Sequence, residues 1–362
     1  MKITFVLPYA ALGGGVRAVA MIARNLARNG HRVTIVSTPK KNVPLKRRLG
    51  SLLRGNGWPS SGHGDPSHLD SLVGVEHRKI DTFRPIVDAD LPDADAVIAT
   101  WWETAEWVNT LSAAKGEKFY FVQHHETVFD NQPTRRVEAT YRLPLRKIAV
   151  AKWLSELMAD KYDSPDVPVV PCGIDHTIFD APPRGKQKRP TIGMMFARAD
   201  FKGSDVALAA YEIAARNISG LELKIFGEKP PAPPTVLPTG AEFEERPPQK
   251  RIAEIYASCN AWLFASRCEG FGLPVLEAMS CRTPVIGTPT GVAPEAIAEG
   301  GGMLVKPDDA PEMAIAIERI CRMKEAEWKQ MSEAAYATAA RFTWENSARL
   351  FEEALTTIST SR

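Results

Sequence analysis

At 362 residues the chain is long for one hydrophobic core and comfortable for two domains. With 45 Lys and Arg against 43 Asp and Glu, the formal charge is only +2, which argues against nucleic-acid binding by bulk charge. Hydrophobic residues at 44% and charged residues at 24% are ordinary for a soluble globular protein.

The opening MKITFVLPYAALGGG lacks the length and the small-residue cleavage site of a signal peptide. No apolar run approaches the roughly 20 residues that span a bilayer. The five cysteines (Cys172, Cys259, Cys268, Cys281, Cys321) show neither CxxC nor metal-ligand spacing, so reduced thiols in the cytoplasm are expected. The histidines are scattered apart from His124-His125, and no zinc site is expected.

Short apolar runs alternate with helical periodicity, as in parallel sheets with crossover helices. KITFVLP reads as the first strand; Gly13-Gly14-Gly15 and a helix carrying Val16, Val19, Ala20, Ala23 and Leu26 follow. GHRVTIVS is the next strand. Residues 39–70 have no clean periodicity, and within them 40–55 (KKNVPLKRRLGSLLRG) holds six basic residues, no acidic one and four leucines. That stretch reads either as a solvated surface insertion or as an amphipathic helix for an anionic lipid surface or a lipid-linked substrate. Further strands are predicted at 95–100 (DAVIAT), 118–123 (KFYFVQ), 147–150 (KIAV) and 167–170 (VPVV). The Pro- and Lys/Arg-rich FDAPPRGKQKRP (179–190) reads as an exposed linker. Alternation then restarts with TIGMMFA, a helix near 203–216, LELKIFG, a helix near 249–257, AWLFA and TPVIGT. The expected division is a first doubly wound α/β domain at 1–175, a linker at 176–190 and a second such domain at 191–340. A last helix in 341–362, with Trp344, Leu350, Phe351 and Leu355 on one stripe, can pack on either domain or cross back to the first.

In a doubly wound domain, ligands sit at the carboxyl ends of the strands, where helix N-termini also point. AWLFASRCEGFGLPVLEAMS is a strand, a loop and a helix start in that order. Gly270 and Gly272 permit close backbone approach, and Pro274 suits the first helical turn. The amides of Gly270 to Leu273, and of Val275 and Leu276, are then available to a phosphate or a sugar. Glu277, one turn into the helix, is placed to accept two hydroxyl hydrogen bonds, as from a ribose diol. Glu269 stands at the loop entrance, near whatever lies beyond the phosphates. The plain alternatives are a helix-dipole acid at 277 and a surface acid at 269. In MMFARADFKG (194–203), Arg198 and Lys202 lie between a strand and a helix, where both can neutralise a diphosphate; a surface arginine and a helix-capping lysine are the plain alternatives. FVQHHETVF (121–129) puts His124, His125 and Glu126 after a strand. Either histidine is structural or catalytic, and Glu126 can orient one of them or contact an acceptor.

The stretch from Glu269 to Glu277 resembles the Glu-x7-Glu motif of the retaining glycosyltransferases of family four. These have the GT-B fold, two Rossmann-like doubly wound α/β domains facing across a cleft. The similarity extends through PVIGT (284–288), GVAPEAI (291–297), VPCGIDHTIF (170–179) and the glycine loop GGGVRAVAM. The resemblance implies that Glu277 binds the nucleotide ribose, and that Glu269 and the backbone of Gly270, Phe271, Gly272 and Leu273 hold the donor sugar. It also implies that Arg198 and Lys202 clamp the diphosphate while Gly14 and Gly15 approach the donor from the opposite wall. His124 first, or His125, would reach the donor sugar. The base would be read by loops after KIFGE, with Gly227, and around FEERPP (243–248). YFVQ with an acid three residues later is also similar to the rhamnan-synthesising, polysaccharide-biosynthesis branch.

Three departures concern phosphate geometry: Arg282 where glycine is usual, a short Arg198–Lys202 spacing, and one glycine where TGVAPE commonly has a pair. The implied reaction is retaining transfer of a hexosyl or deoxyhexosyl group from a nucleoside-diphosphate sugar to a saccharide or lipid-linked acceptor, in bacterial polysaccharide or glycolipid synthesis. His124, Glu269, Arg198 and Lys202 would be catalytic, with no cofactor. No metal is expected, since DAD (88–90) and DADA (93–96) precede a strand, and cations and helix amides can stabilise the departing diphosphate. Domain closure about 171–190 would exclude water. The enzyme would be cytoplasmic, with peripheral contact at the inner membrane face through 40–55. The rival readings are a sugar-nucleotide epimerase or hydrolase on the same scaffold and a non-catalytic nucleotide-binding subunit. A nicotinamide-dependent oxidoreductase is disfavoured by the missing GxGxxG after the first strand.

Overall fold

The structure is a computed structural model that describes residues 1–41, 66–70, 72–130, 132–233 and 235–357. The basic 40–55 stretch lies outside the described residues beyond Lys41. The chain divides into two compact units, Met1–Pro171 with Trp344–Arg362, and Cys172–Thr343.

In the first unit, β1 (Lys2–Leu7), β2 (Arg32–Ser37), β3 (Val75–Lys79), β4 (Ala96–Ala99), β5 (Glu117–Val122) and β6 (Arg146–Ala149) form a parallel sheet in the order β3-β2-β1-β4-β5-β6. Its central strands are buried apolar runs, as a parallel sheet covered on both faces requires. β3 is the exception: VEHRK is a half-exposed edge strand with no apolar run to announce it. The predicted strand at 167–170 makes only an isolated bridge, Ala149 to Val169. α1 (Gly14–Arg28) buries Val19, Ala20, Ala23 and Leu26 along the stripe its spacing predicts. α2 (Trp102–Thr110), α3 (Thr134–Thr140) and α4 (Lys152–Tyr162) complete the crossovers.

The C-terminal helix Trp344–Thr356 packs on this unit. Trp344, Phe351 and Leu355 of the predicted stripe are buried together with Ala348, Leu350 is only half-buried, and the Phe351 ring lies 5.5 Å from Phe5 and 5.2 Å from Phe121. Burying a side chain such as Phe351 contributes about 1.5–3 kcal/mol.

The second unit repeats the plan with β7 (Thr191–Phe196), β8 (Glu222–Gly227), β9 (Ala241–Glu245), β10 (Ala261–Phe264), β11 (Val285–Gly287) and β12 (Gly302–Leu304), ordered β12-β11-β10-β7-β8-β9. Its helices are α5 (Ser204–Ala215), α6 (Gln249–Ala257), α7 (Leu273–Ser280), α8 (Ala293–Ala296), α9 (Ala310–Arg322) and α10 (Glu325–Ala339). Ile192, Met194, Leu223, Ile225, Leu263 and Ile286 bring the strands into one core with α5 and α9.

Residues 179–190, expected to be an exposed linker, are instead tied into this unit. Arg184 donates to the Cys259 carbonyl at 2.8 Å and the Thr283 hydroxyl at 2.6 Å, with its guanidinium 4.7 Å over the Trp328 ring. Burial pushes that guanidinium down to about 10. Lys186 donates to the Cys321 and Met323 carbonyls at the end of α9. The basic residues that suggested solvent therefore satisfy carbonyls left free at element ends. Arg282 is explained similarly. It follows α7 at φ +58°, the left-handed position where glycine is favoured, and is held there by the Ala181 carbonyl (2.8 Å), Glu333 and the Tyr336 ring. Among the described residues no helix is long and apolar enough to cross a membrane.

Candidate active site

In the second unit the strand order reverses between β7 and β10, so the loops that leave their carboxyl ends diverge to opposite faces and leave a crevice. Gly203, at φ +62°, ends the first loop, and a Cβ there would run into the Ala265 carbonyl of the second. Only glycine lets the loops approach so closely. The Arg267 amide donates to the Phe201 carbonyl at 2.8 Å, and its guanidinium pairs with Asp205 at 2.7 Å and Asp308 at 2.6 Å. As a result Lys202 Nζ stands 2.6 Å from Glu269 Oε1, and the Ser266 hydroxyl donates to the same oxygen at 2.8 Å. Glu269 is 6% exposed and Lys202 half-buried. A cavity of about 20 Å³, lined in part by Lys202, Phe264, Ser266 and Pro274, lies beside them.

α7 starts directly after this loop. Gly272 precedes it at φ +88°, where a Cβ would sit 2.9 Å from the Phe264 ring. No side chain caps the helix. The Val275 amide, expected to be available to a ligand, donates to the Gly272 carbonyl at 3.0 Å because the first turn is tight. Phe271 is buried against Phe342, and its carbonyl accepts the Val292 amide at 2.7 Å. Glu277 is 6% exposed, and its Oε2 accepts the Tyr256 hydroxyl at 3.1 Å.

Arg198 is not part of the Lys202–Glu269 pair; it donates to the Pro230 carbonyl, beyond β8, at 3.2 and 2.8 Å. The two cations expected to share one diphosphate thus have separate partners. Gly227 serves close packing: a Cβ there would stand 2.5 Å from the Phe196 carbonyl on β7.

In the first unit the order reverses between β1 and β4. Gly14 and Gly15 open α1 beside that point; a Cβ on Gly14 would meet nothing within 4 Å, and one on Gly15 would stand 3.2 Å from Gln123 Oε1. Gln123, a residue that sequence reasoning passed over, donates to the Thr100 carbonyl at 3.3 Å, while its Oε1 is buried without a partner.

The fold separates the two histidines. His124 Nδ1 lies 3.2 Å from the His125 carbonyl, and its half-buried ring stands 4.8 Å from Phe129. His125 is enclosed by Tyr141 and Tyr162, with Nε2 2.7 Å from the Tyr162 hydroxyl and Nδ1 3.0 Å from that of Thr127. Burial lowers its pKa, which favours the neutral ring. The Glu126 side chain, expected to orient an imidazole or meet an acceptor, makes no hydrogen bond to either histidine ring. Its carboxyl group is buried and accepts the Trp102 amide at 2.7 Å and the Tyr120 hydroxyl at 3.0 Å. Desolvation pushes it up to about 8.

Known proteins place this architecture. Residues 12–178 match the family described as Glycosyltransferase Family 4, and residues 178–338 match Glycosyl transferases group 1. The O-antigen chain mannosyltransferase B of Escherichia coli is 33% identical over 100 residues, 27% of this chain and 26% of that protein. The D-inositol 3-phosphate glycosyltransferase of Mycobacterium marinum is 38% identical over 104 residues, 28% of this chain and 22% of that protein. The chain thus spans about a quarter of the length of these curated relatives. Among solved structures, Anabaena HepE in complex with UDP-glucose superposes with a TM-score of 0.73 over 99% of this chain and 100% of that one, at 17% identity, a likeness of fold alone. Two such family domains in tandem, each on its own doubly wound parallel sheet, make the chain a member of the GT-B glycosyltransferases of the family-four type.

Proposed function

We propose that the chain transfers a hexosyl or deoxyhexosyl group from a nucleoside-diphosphate sugar to an acceptor hydroxyl, with retention at the anomeric carbon and without a metal. The observation that carries this reading is the Lys202–Glu269 pair at the strand-order reversal, next to a helix start with no side-chain cap. A cation for the diphosphate, an acid for sugar hydroxyls and peptide amides stand together there. An arriving diphosphate competes with Glu269 for Lys202, and Ser266 keeps the released carboxylate in place for the sugar. Glu277, whose Oε2 accepts the Tyr256 hydroxyl, binds the ribose diol. Arg198 adds charge to the phosphates from its exposed position, and the backbone from Gly270 to Leu273 borders the sugar. The family resemblance assigns Gly14, Gly15 and His124 to the donor as well. Cleavage of the glycosidic bond leaves oxocarbenium character on the sugar and negative charge on the leaving diphosphate, which Lys202 and Arg198 stabilise.

The relatives named as mannosyltransferases, and a structural neighbour holding UDP-glucose, support a nucleotide-sugar donor and a saccharide acceptor. Polysaccharide or glycolipid synthesis on the cytoplasmic side of a membrane fits the basic 40–55 stretch of the sequence, and the rhamnan-synthesising branch fits YFVQ with its following acid. A thermal-shift panel of nucleoside diphosphates and their sugars, run with and without chelator, tests donor and metal together. Product anomeric configuration by NMR tests retention, and turnover measured without acceptor separates transfer from hydrolysis. If no nucleoside diphosphate stabilises the protein at millimolar concentration, the reading fails.

A further inference from the structure

Among the described residues of the first unit, Glu126 is the best-buried carboxyl that the proposed chemistry does not use, at 1% exposure just beyond β5. One oxygen, Oε2, accepts from the Trp102 amide in the first turn of α2 and from the Tyr120 hydroxyl on β5. The other, Oε1, is buried with no hydrogen-bond partner. An apolar side chain would fill the same space but leave the buried Trp102 amide and Tyr120 hydroxyl without this acceptor, so the acid is held there by its hydrogen bonds and not by packing alone.

What the acid adds is a connection. The Glu126 amide donates to the Tyr141 hydroxyl at 2.8 Å, and that hydroxyl donates to the His124 carbonyl at 3.2 Å. The Tyr141 ring stacks on Tyr120 with centroids 5.7 Å apart and 8° between planes. Side chain and main chain of Glu126 therefore tie α2, β5 and Tyr141 to the short turn that carries His124.

We propose that Glu126 is a positioning residue for the transfer reaction: by holding the first turn of α2 and the Tyr120–Tyr141 stack it fixes the 123–126 backbone, and through it the stance of the His124 imidazole. This rests on the glycosyltransferase reading and on His124 serving the donor sugar. Glu126 itself touches no substrate.

Three variants separate positioning from bulk packing. Glu126→Gln keeps a carbonyl oxygen for Trp102 and Tyr120; Glu126→Leu removes both acceptors; Tyr141→Phe removes the bridge to the His124 carbonyl and keeps the ring. The first readout is the His124 ring resonance in ¹³C-histidine-labelled full chain, assigned with His124→Gln. The second is kcat and donor KM for transfer. Glu126→Leu and Tyr141→Phe should displace the His124 resonance and lower kcat by about tenfold or more, with donor KM within about twofold, because a misplaced group costs rate before it costs binding. Glu126→Gln should restore both. An unmoved resonance in folded Tyr141→Phe, equal losses in the Gln and Leu variants, or losses carried by donor KM would each overturn the proposal. Should the unmodified chain transfer no sugar, the functional reading falls with the kinetic arm, while the resonances still decide whether Glu126 places His124.

Discussion

Glu126→Gln also makes a sharp thermodynamic prediction. A carboxyl whose folded-state value rises from the ordinary 4.5 to about 8 holds its proton in the folded protein where the unfolded chain has lost it. Between those values the folded state binds more protons, so stability falls as pH rises from about 4.5 to about 8 and levels off above. At ~1.36 kcal/mol per pH unit, that displacement amounts to at most about 5 kcal/mol. Glutamine stays neutral throughout and keeps an oxygen for Trp102 and Tyr120, so the variant lacks this loss. The assay is urea unfolding of both proteins from pH 5 to 8.5, followed by hydrogen exchange in peptides spanning 117–126, so that the first unit is read by itself. The stability difference should move in favour of the variant by several kcal/mol across the range, and other titrating groups, common to both, cancel. A difference constant with pH would refute the reasoning, because it would mean that Glu126 is as ionised folded as unfolded.

Lys202→Ala should lower kcat/KM by about a hundredfold or more, the scale of losing one preorganised stabilising group, with weakened nucleoside-diphosphate binding by calorimetry. Gly203→Ala should destabilise the second unit by at least about 1–3 kcal/mol and abolish donor-induced thermal stabilisation, since its left-handed backbone strains any Cβ and the Ala265 carbonyl occupies the space. Phe351→Ala should cost the first unit about 3–5 kcal/mol in denaturant unfolding through the cavity left between Phe5 and Phe121.

Much of the fold was legible because buried parallel strands are written as unbroken apolar runs. β1, β5, β7 and β10 follow KITFVL, EKFYFV, TIGMMF and AWLF directly, and the stripe from Trp344 to Leu355 marked a packed helix. β3 escaped because VEHRK on a half-exposed edge carries no such run. The 179–190 stretch misled because Arg184 and Lys186, which look solvated in sequence, spend their charge on buried carbonyls. Gly272 in EGFGLPVLE marked the turn into α7, since its backbone need is local. What sequence by itself determined were elements and loop conformations, which depend on neighbours along the chain. Tertiary structure decided the partners. Lys202 meets Glu269 across 67 residues only because the sheet order reverses between β7 and β10, and His124 differs from His125 only because Tyr141 and Tyr162 close around the second ring. Spacing in sequence carries no record of which strand ends lie side by side, and that adjacency is what brings distant side chains within hydrogen-bonding reach.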